Sequence, residues 1–512
     1  MELVLEPLVI EQGRGDRCGA RPVTALMMLT VVVMTALTAL SGVGCANHND
    51  RSEAYLRDLE TGRWDAAVGA ASRAVADGPE RNRVLDRLEL GTVQRIAGDW
   101  SASDATLGDA WTLMQELGDP ADPQFIDTLA AVAVNERALP YIGGSVDRTM
   151  CATLRGLDLL AIGDLDSARA ELKRAQFAQE DAEARFADRI EQARAKMEED
   201  QKNLGAIEDS SEFRSQYEQT YGDLAARFSP YDGWTVPFAD WLTAVLLIVD
   251  GEGGGDANRA IDLLRRVLGT VGENPAVEAD LALAERAFAS SPGSRTPQTW
   301  LVVESGFAPR REEVVFRIPA FIPEMPFIGV AFPKLVPSDA GPVGAAISTD
   351  ESGVVETAVV CDMGSVIAHE FDANLPLITG RAIGAAVAKA AASLAANLAA
   401  KESGNDWVLL ASMVATNVYG YTTTLADLRT WRTLPRAYAV ARVQTPADGV
   451  VRLSGGIGDH EIRVPSQQDA MIVVRCPRAG GPTSIHAFPL ARPADAGDAG
   501  DPTADVASGD VS

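Results

Sequence analysis

The hydrophobic and polar positions of this chain change rhythm several times, and each change predicts a different kind of element. An apolar run, Val23–Leu40, follows three arginines, Arg14, Arg17 and Arg21. Over 46–296, small and large apolar residues recur as they do in paired amphipathic helices. Over 297–490 they gather instead into short runs bounded by Gly, Pro or Asp, as in strands. These runs are Trp300–Glu304, Glu313–Ile318, Val354–Val360, Ala437–Val443, Val450–Leu453, Glu461–Val464 and Ala470–Arg475. The tail 491–512 carries five Asp, one Arg and no core formers, so it is predicted to be disordered.

Three segments of the helical region, 59–79, 90–111 and 156–175, align on one another. Each places a Gly two residues before a large apolar residue: Gly62 and Trp64, Gly98 and Trp100, Gly163 and Leu165. Small residues follow at matched positions, first Ala67, Ser103 and Ala168, then Ala74, Ala110 and Ala175. Gly91 and Gly156 precede the turn glycines of the second and third units, and 254–275 makes a fainter fourth unit. The pattern resembles the tetratricopeptide repeat, in which small residues sit where two helices cross. Such hairpins stack because neither helix can bury its apolar face alone. The resemblance implies that the first helix of each hairpin lines a concave groove for a partner peptide. By the alignment Thr92, Arg95, Met150 and Thr153 would face that groove, with Arg95 suited to a carboxylate.

Residues 166–208 contain no Pro and one Gly and are dense in Ala, Glu, Arg, Lys and Gln, which predicts one long solvated helix. The aromatics between Tyr217 and Trp241 alternate with turn formers and read either as packing between hairpins or as a recognition surface. Two helical segments interrupt the β-type runs. The first, 378–402, is nearly all small, and the second, 406–428, is apolar and β-branched. They suggest a close-packed pair beside a sheet; the competing view, a membrane hairpin, is opposed by Arg381 and Lys389.

The basic, apolar, then small order of the leader is an export signal, ending in Leu40-Ser-Gly-Val-Gly-Cys45. Cys45 after small residues resembles a lipobox, in which that cysteine is lipidated; an uncleaved anchor is the alternative. Either way the remainder faces away from the cytoplasm, where a disulfide can persist. Cys361 and Cys476 each end a β-type run, so they could form a bridge or stay as two buried thiols. The net charge of −27 opposes broad nucleic-acid binding. Four His and five Cys leave few candidates for histidine catalysis or a thiolate metal site. No phosphate loop, nucleophile elbow or zinc helix occurs, so neither a cofactor nor a small-molecule substrate is predicted.

Several stretches resemble a family of bacterial envelope lipoproteins that pair tetratricopeptide-like helices with a C-terminal β-containing domain. They are Arg81–Gly91 through Gly98-Asp-Trp100, Val303–Glu313 followed by Ile318-Pro and Ala331-Phe-Pro, and above all Ala426–Pro435. The resemblance implies an envelope location and carries no activity with it. The expected architecture is α+β and multidomain. It comprises a signal segment (1–45), a helical-hairpin solenoid (46–296), a mixed α/β domain (297–490) and an acidic tail (491–512). The expected function is a non-enzymatic, membrane-anchored adaptor for a protein partner, with cell-wall or outer-membrane assembly as the narrower role that analogy adds. The rival is an envelope enzyme with a site around Asp362, His369, Asp427 and Arg429.

Overall fold

The computed structural model describes residues 48–118, 139–200, 204–251, 253–289, 295–322, 325–338, 341–402 and 425–492. Cys45 and the leader, most of the segment 406–428 and the tail from 493 lie outside the described residues.

The aligned units are helical hairpins. Helices α1 (His48–Glu60) and α2 (Trp64–Asp77) form the first, α3 (Arg83–Ile96) and α4 (Trp100–Leu117) the second, and α5 (Ser145–Ala161) and α6 (Leu165–Asp200) the third. Gly62, Gly98 and Gly163 sit in the three connecting turns with φ of 72°, 90° and 82°, a left-handed conformation that a Cβ would strain. In the second and third turns an Asp follows the Gly, and its carboxylate accepts from the next helix's free N–H groups: Asp99 from Ala102 and Asp164 from Ser167. Gly91 and Gly156 sit where the two helices of a hairpin touch. A Cβ on either would lie within 2.7 Å of Leu107 or Leu172. Consecutive hairpins pack through α2 on α3 and α4 on α5.

The predicted long helix is described as α6 over Leu165–Asp200; residues 201–203 lie outside the described residues. After α6 come α7 (Leu204–Glu208), α8 (Ser211–Tyr221) and α9 (Leu224–Phe228), and the Arg194 guanidinium on α6 pairs with Glu208 on α7. A fourth hairpin follows, α10 (Pro237–Val249) with α11 (Gly254–Val271), closed by α12 (Pro275–Ala289). The aromatics of 217–241 are packing residues. Phe238 stacks on Tyr438 with centroids 3.8 Å apart, Trp241 is fully buried, and Tyr221 lies against Phe316 and Phe371.

The sheet-rich part begins at β1 (Gln298–Ser305). The other strands are β2 (Arg310–Ile322), β3 (Met325–Val336), β4 (Ala345–Thr349), β5 (Gly353–Glu356), β6 (Ala358–Asp362), β7 (Ala437–Gln444), β8 (Val450–Gly455), β9 (His460–Arg463), β10 (Ala470–Cys476) and β11 (Ser484–Pro489). One sheet has the order β11-β10-β1-β7-β6, a second the order β5-β4-β8-β9, and β2 and β3 form a separate ribbon. Strand β1 is antiparallel to β7 and parallel to β10. The side-chain period of two sorts this central strand into two cores. Trp300 and Val302 join the helices, whereas Leu301 and Val303 face the second sheet. The result is a stack of helices, sheet and sheet. The described residues form one compact unit, in which helices and sheet share a core. Asp280 on α12 ties the layers by accepting from the indoles of Trp241 and Trp300 and from Arg442.

The sheet order corrects the proposed disulfide. Cys361 on β6 and Cys476 on β10 are separated by β7 and β1, three strand spacings or roughly 14 Å. They also belong to opposite cores, far outside the reach of an S–S bond. Both are buried free thiols, as is Cys151.

Helix α13 (Met363–Glu402) starts well before the predicted 378. Its stretch Met363–Ala395 is long and apolar enough to cross a membrane, yet Phe371, Leu375, Leu377, Ile383 and Ala386 are buried in a core with the β2–β3 ribbon. His369 lies on this helix, set edge-on against Trp234.

Candidate functional site at the seam of helices and sheet

The four groove candidates are buried, which corrects their assignment to an open surface. Thr92, Met150 and Thr153 have no exposed area and Arg95 is 1% exposed. Arg95 Nε donates to Asp158 at 3.0 Å, and Nη1 donates to both Glu304 oxygens at 2.7 and 2.9 Å. The cation does meet carboxylates, but they belong to α5 and β1 of its own chain. Asp158 also accepts from Ser103, and burial pushes its carboxyl up to about 7 despite Arg95 beside it.

The groove over α3 is filled by the chain's own segment Ala426–Pro435. Glu89 is buried and accepts from the backbone N–H of Arg432 (2.8 Å) and of Thr433 (2.9 Å), as a groove carboxylate would hold a peptide. The Trp431 indole donates to Thr92 Oγ1 at 2.9 Å. Arg432 reaches Ser52 and Glu53 on α1. Arg429 reaches the Asn82 side chain and the Leu139 carbonyl. His48 lies between Asp86 and Glu89 at 3.4 and 3.3 Å. Burial opposes its charge, but the two carboxylates prevail and raise its pKa.

Alongside this segment, from Asp427 to Leu434, lies a cavity of about 260 Å³. It forms where the N-terminus of α5, the middle of α13, the start of β2 and the 426–435 segment converge. Glu370 on α13 accepts from the first free N–H groups of α5, Ser145 at 2.6 Å and Val146 at 3.4 Å. A helix N-terminus favours a carboxylate there. Burial outweighs that, and with Asp147 nearby it pushes the Glu370 carboxyl up to about 7. Asp147 accepts from the Tyr141 hydroxyl (2.6 Å) and the Gly144 N–H (3.0 Å); burial raises its pKa as well. Asp427 is held the other way, below the usual carboxylate range, because Arg429 grips both its oxygens.

Arg311 also lines the cavity, its guanidinium 5.4 Å from the Phe371 ring centre. It stands near enough to lower the pKa of Asp147, Glu370 and Asp427 alike. Its Nε is buried and has no hydrogen-bond partner among the described residues. Arg148 is committed to the carbonyls of Met114 and Gly118.

Of the rival enzyme quartet, the cavity gathers Asp427 and Arg429 only. Asp362 sits at the end of β6, accepting from Gly364 N and pairing with Arg436, and His369 faces Trp234. The residues missed by sequence reasoning are Tyr141, Asp147, Arg311 and Glu370. Arg311 falls within the distinctive stretch Val303–Glu313, and Glu370 adjoins His369. Neither carries a local pattern that marks a site. Among the described residues no group of three or more His, Cys, Asp or Glu is placed to hold a metal ion.

No family model matches the chain, and no curated protein matches it. Among solved structures, a tetratricopeptide repeat protein from Parabacteroides merdae aligns over 46% of this chain and 98% of its own, at 13% identity and a TM-score of 0.13. A superposition at that score carries no argument; the hairpin architecture rests on the turn glycines and helix crossings themselves.

Proposed function

We propose that this protein is a non-enzymatic adaptor of the bacterial cell envelope. In this reading the leader exports it and holds it at the membrane, through a lipid on Cys45 or as an uncleaved anchor. Its tetratricopeptide-like hairpins serve as a scaffold for a protein partner, in a setting such as cell-wall or outer-membrane assembly. The partner meets the cavity beside Asp427 and Arg429. One observation supports this placement: the hairpin groove is already occupied by Ala426–Pro435, and the cavity lies alongside that segment, lined by Asp427, Arg429, Thr430, Trp431 and Leu434.

A photo-crosslinking residue at Ile378, which lines the cavity, should capture a discrete partner in intact cells. The same residue at Val354, 72% exposed on β5, should not. Equal capture at both positions, or capture at neither, removes the reading. A second reading, an envelope enzyme, is favoured by Glu370. A carboxyl near 7 in a cavity is matched to general acid–base work at neutral pH. An activity abolished by Glu370→Gln, with crosslinking unchanged, would put that reading first.

A further inference from the structure

We infer that the cavity is a carboxylate-binding site, in which Arg311 and Glu370 take the carboxylate of a ligand whose apolar stem lies against Ile367, Leu377 and Ile378. The inference rests on the adaptor reading's choice of cavity and names the chemistry of what the cavity holds.

Arg311 is the starting point. The half-buried guanidinium lines the cavity and makes no side-chain hydrogen bond among the described residues; its Nε is sealed off, so a carboxylate entering the cavity would meet the Nη edge and supply its acceptor. A cationic ligand would meet the Arg311 charge instead, with nothing to offer the guanidinium. The carboxylates already in the wall do not forbid an anion. Asp427 is neutralised by Arg429 through two hydrogen bonds, and Asp147 is engaged by Tyr141 and Gly144.

Glu370 then decides the pH dependence. Its Oε1 is committed to the amides of Ser145 and Val146. Facing it are Asp147 on α5 and Arg311 on β2; the other charged residues of the cavity wall are Arg148 on α5, Arg381 on its own helix, Asp181 on α6, and Asp427 with Arg429. Near neutrality the Glu370 carboxyl is partly protonated. In that form it is a donor rather than a repelling charge, so binding a carboxylate draws from solvent the fraction of a proton that Glu370 lacks. The cavity is far too small for a folded domain but suits a chain terminus or a small acid. The apolar side of its wall, from α13, fits a branched aliphatic stem.

The test uses two probes that differ only in the charged group, N-acetyl-leucine and N-acetyl-leucinamide, titrated calorimetrically into the full-length protein. The acid should bind at least tenfold more tightly than the amide at pH 6. Its affinity should fall about tenfold between pH 6 and pH 8, as Glu370 loses its proton. Glu370→Gln should keep the preference for the acid and flatten the pH dependence; Arg311→Gln should abolish the preference. Should Arg311→Gln fail to fold, the comparison of acid with amide in the unmodified protein still decides. No binding of the acid, or equal binding of acid and amide, overturns the inference. If that happens while Ile378 still crosslinks a partner, the adaptor reading survives alone. If the acid binds as expected and no partner is captured, the adaptor reading falls and the carboxylate site stands.

Discussion

Replacing Glu304 with Gln should loosen the join between the helices and the central sheet. Glu304 on β1 and Arg95 on α3 are each about 1% exposed and 2.7 Å apart. At an effective dielectric of about 20 the pair attracts by roughly 6 kcal/mol, and that attraction is largely offset by the cost of drying both ions. The net worth of the pair is therefore small, but removing one partner leaves a stranded charge. Glu304 also faces a second cation: Arg475 is fully buried, and burial, with Arg95 adding repulsion, brings its pKa down to about 10. Without the Glu304 charge, Asp158 is the one carboxylate still hydrogen-bonded to Arg95 among the described residues, and burial holds it near 7. The expected loss is about 3–5 kcal/mol. Urea unfolding at pH 7 measures it. A double-mutant cycle with Arg95→Met should show that the two losses are far from additive, because the second replacement removes the stranded cation. A loss below about 1 kcal/mol, or additive losses, would refute the claim that this buried network locks the layers together.

Two further outcomes follow from the same structure. Glu370 and Asp158 have folded-state pKa values raised to about 7, above their unfolded values, so the native state holds more protons and stability declines as pH rises from about 4 through 7. Glu370→Gln should remove part of that decline, gaining at most about 3 kcal/mol relative to wild type at pH 8 and little at pH 5. Parallel urea curves at both pH values for the two proteins would contradict it. Gly98→Ala should destabilise by about 1–3 kcal/mol, since its φ is 90° and the new Cβ would lie 2.7 Å from the His486 ring. An unchanged melting temperature would show that the turn relaxes freely.

Features fixed by neighbours in sequence were legible, and those fixed by distant partners were not. The turn glycines Gly62, Gly98 and Gly163 announced their hairpins because left-handed backbone leaves a local mark. Strands β1, β7 and β10 were readable as apolar runs, being buried on both faces. Strand β3 escaped notice because Pro326 and Pro333 argue against a strand; it survives in a two-stranded ribbon, where neither residue need donate to a second neighbour. The groove residues were correctly placed on their helices but wrongly assigned to the surface. Arg95 finds Glu304 209 positions away, and Trp431 reaches Thr92 across 339. No helical periodicity records such a meeting. The cavity shares this origin: Glu370 caps a helix that begins 225 residues earlier.

The pairing of β1 with β10 bears on how this chain comes into being. A polypeptide emerging from its N-terminus completes every hairpin before the strand that flanks β1 on one side exists, and before Ala426–Pro435 can settle over α3. Until then Thr92 and Glu89 of α3 lack their partners, so native docking waits on about the last sixth of the chain. Premature termination anywhere before residue 426 should thus leave the groove over α3 vacant, prone to seize the kind of extended, arginine-flanked tryptophan segment that the finished molecule supplies to itself.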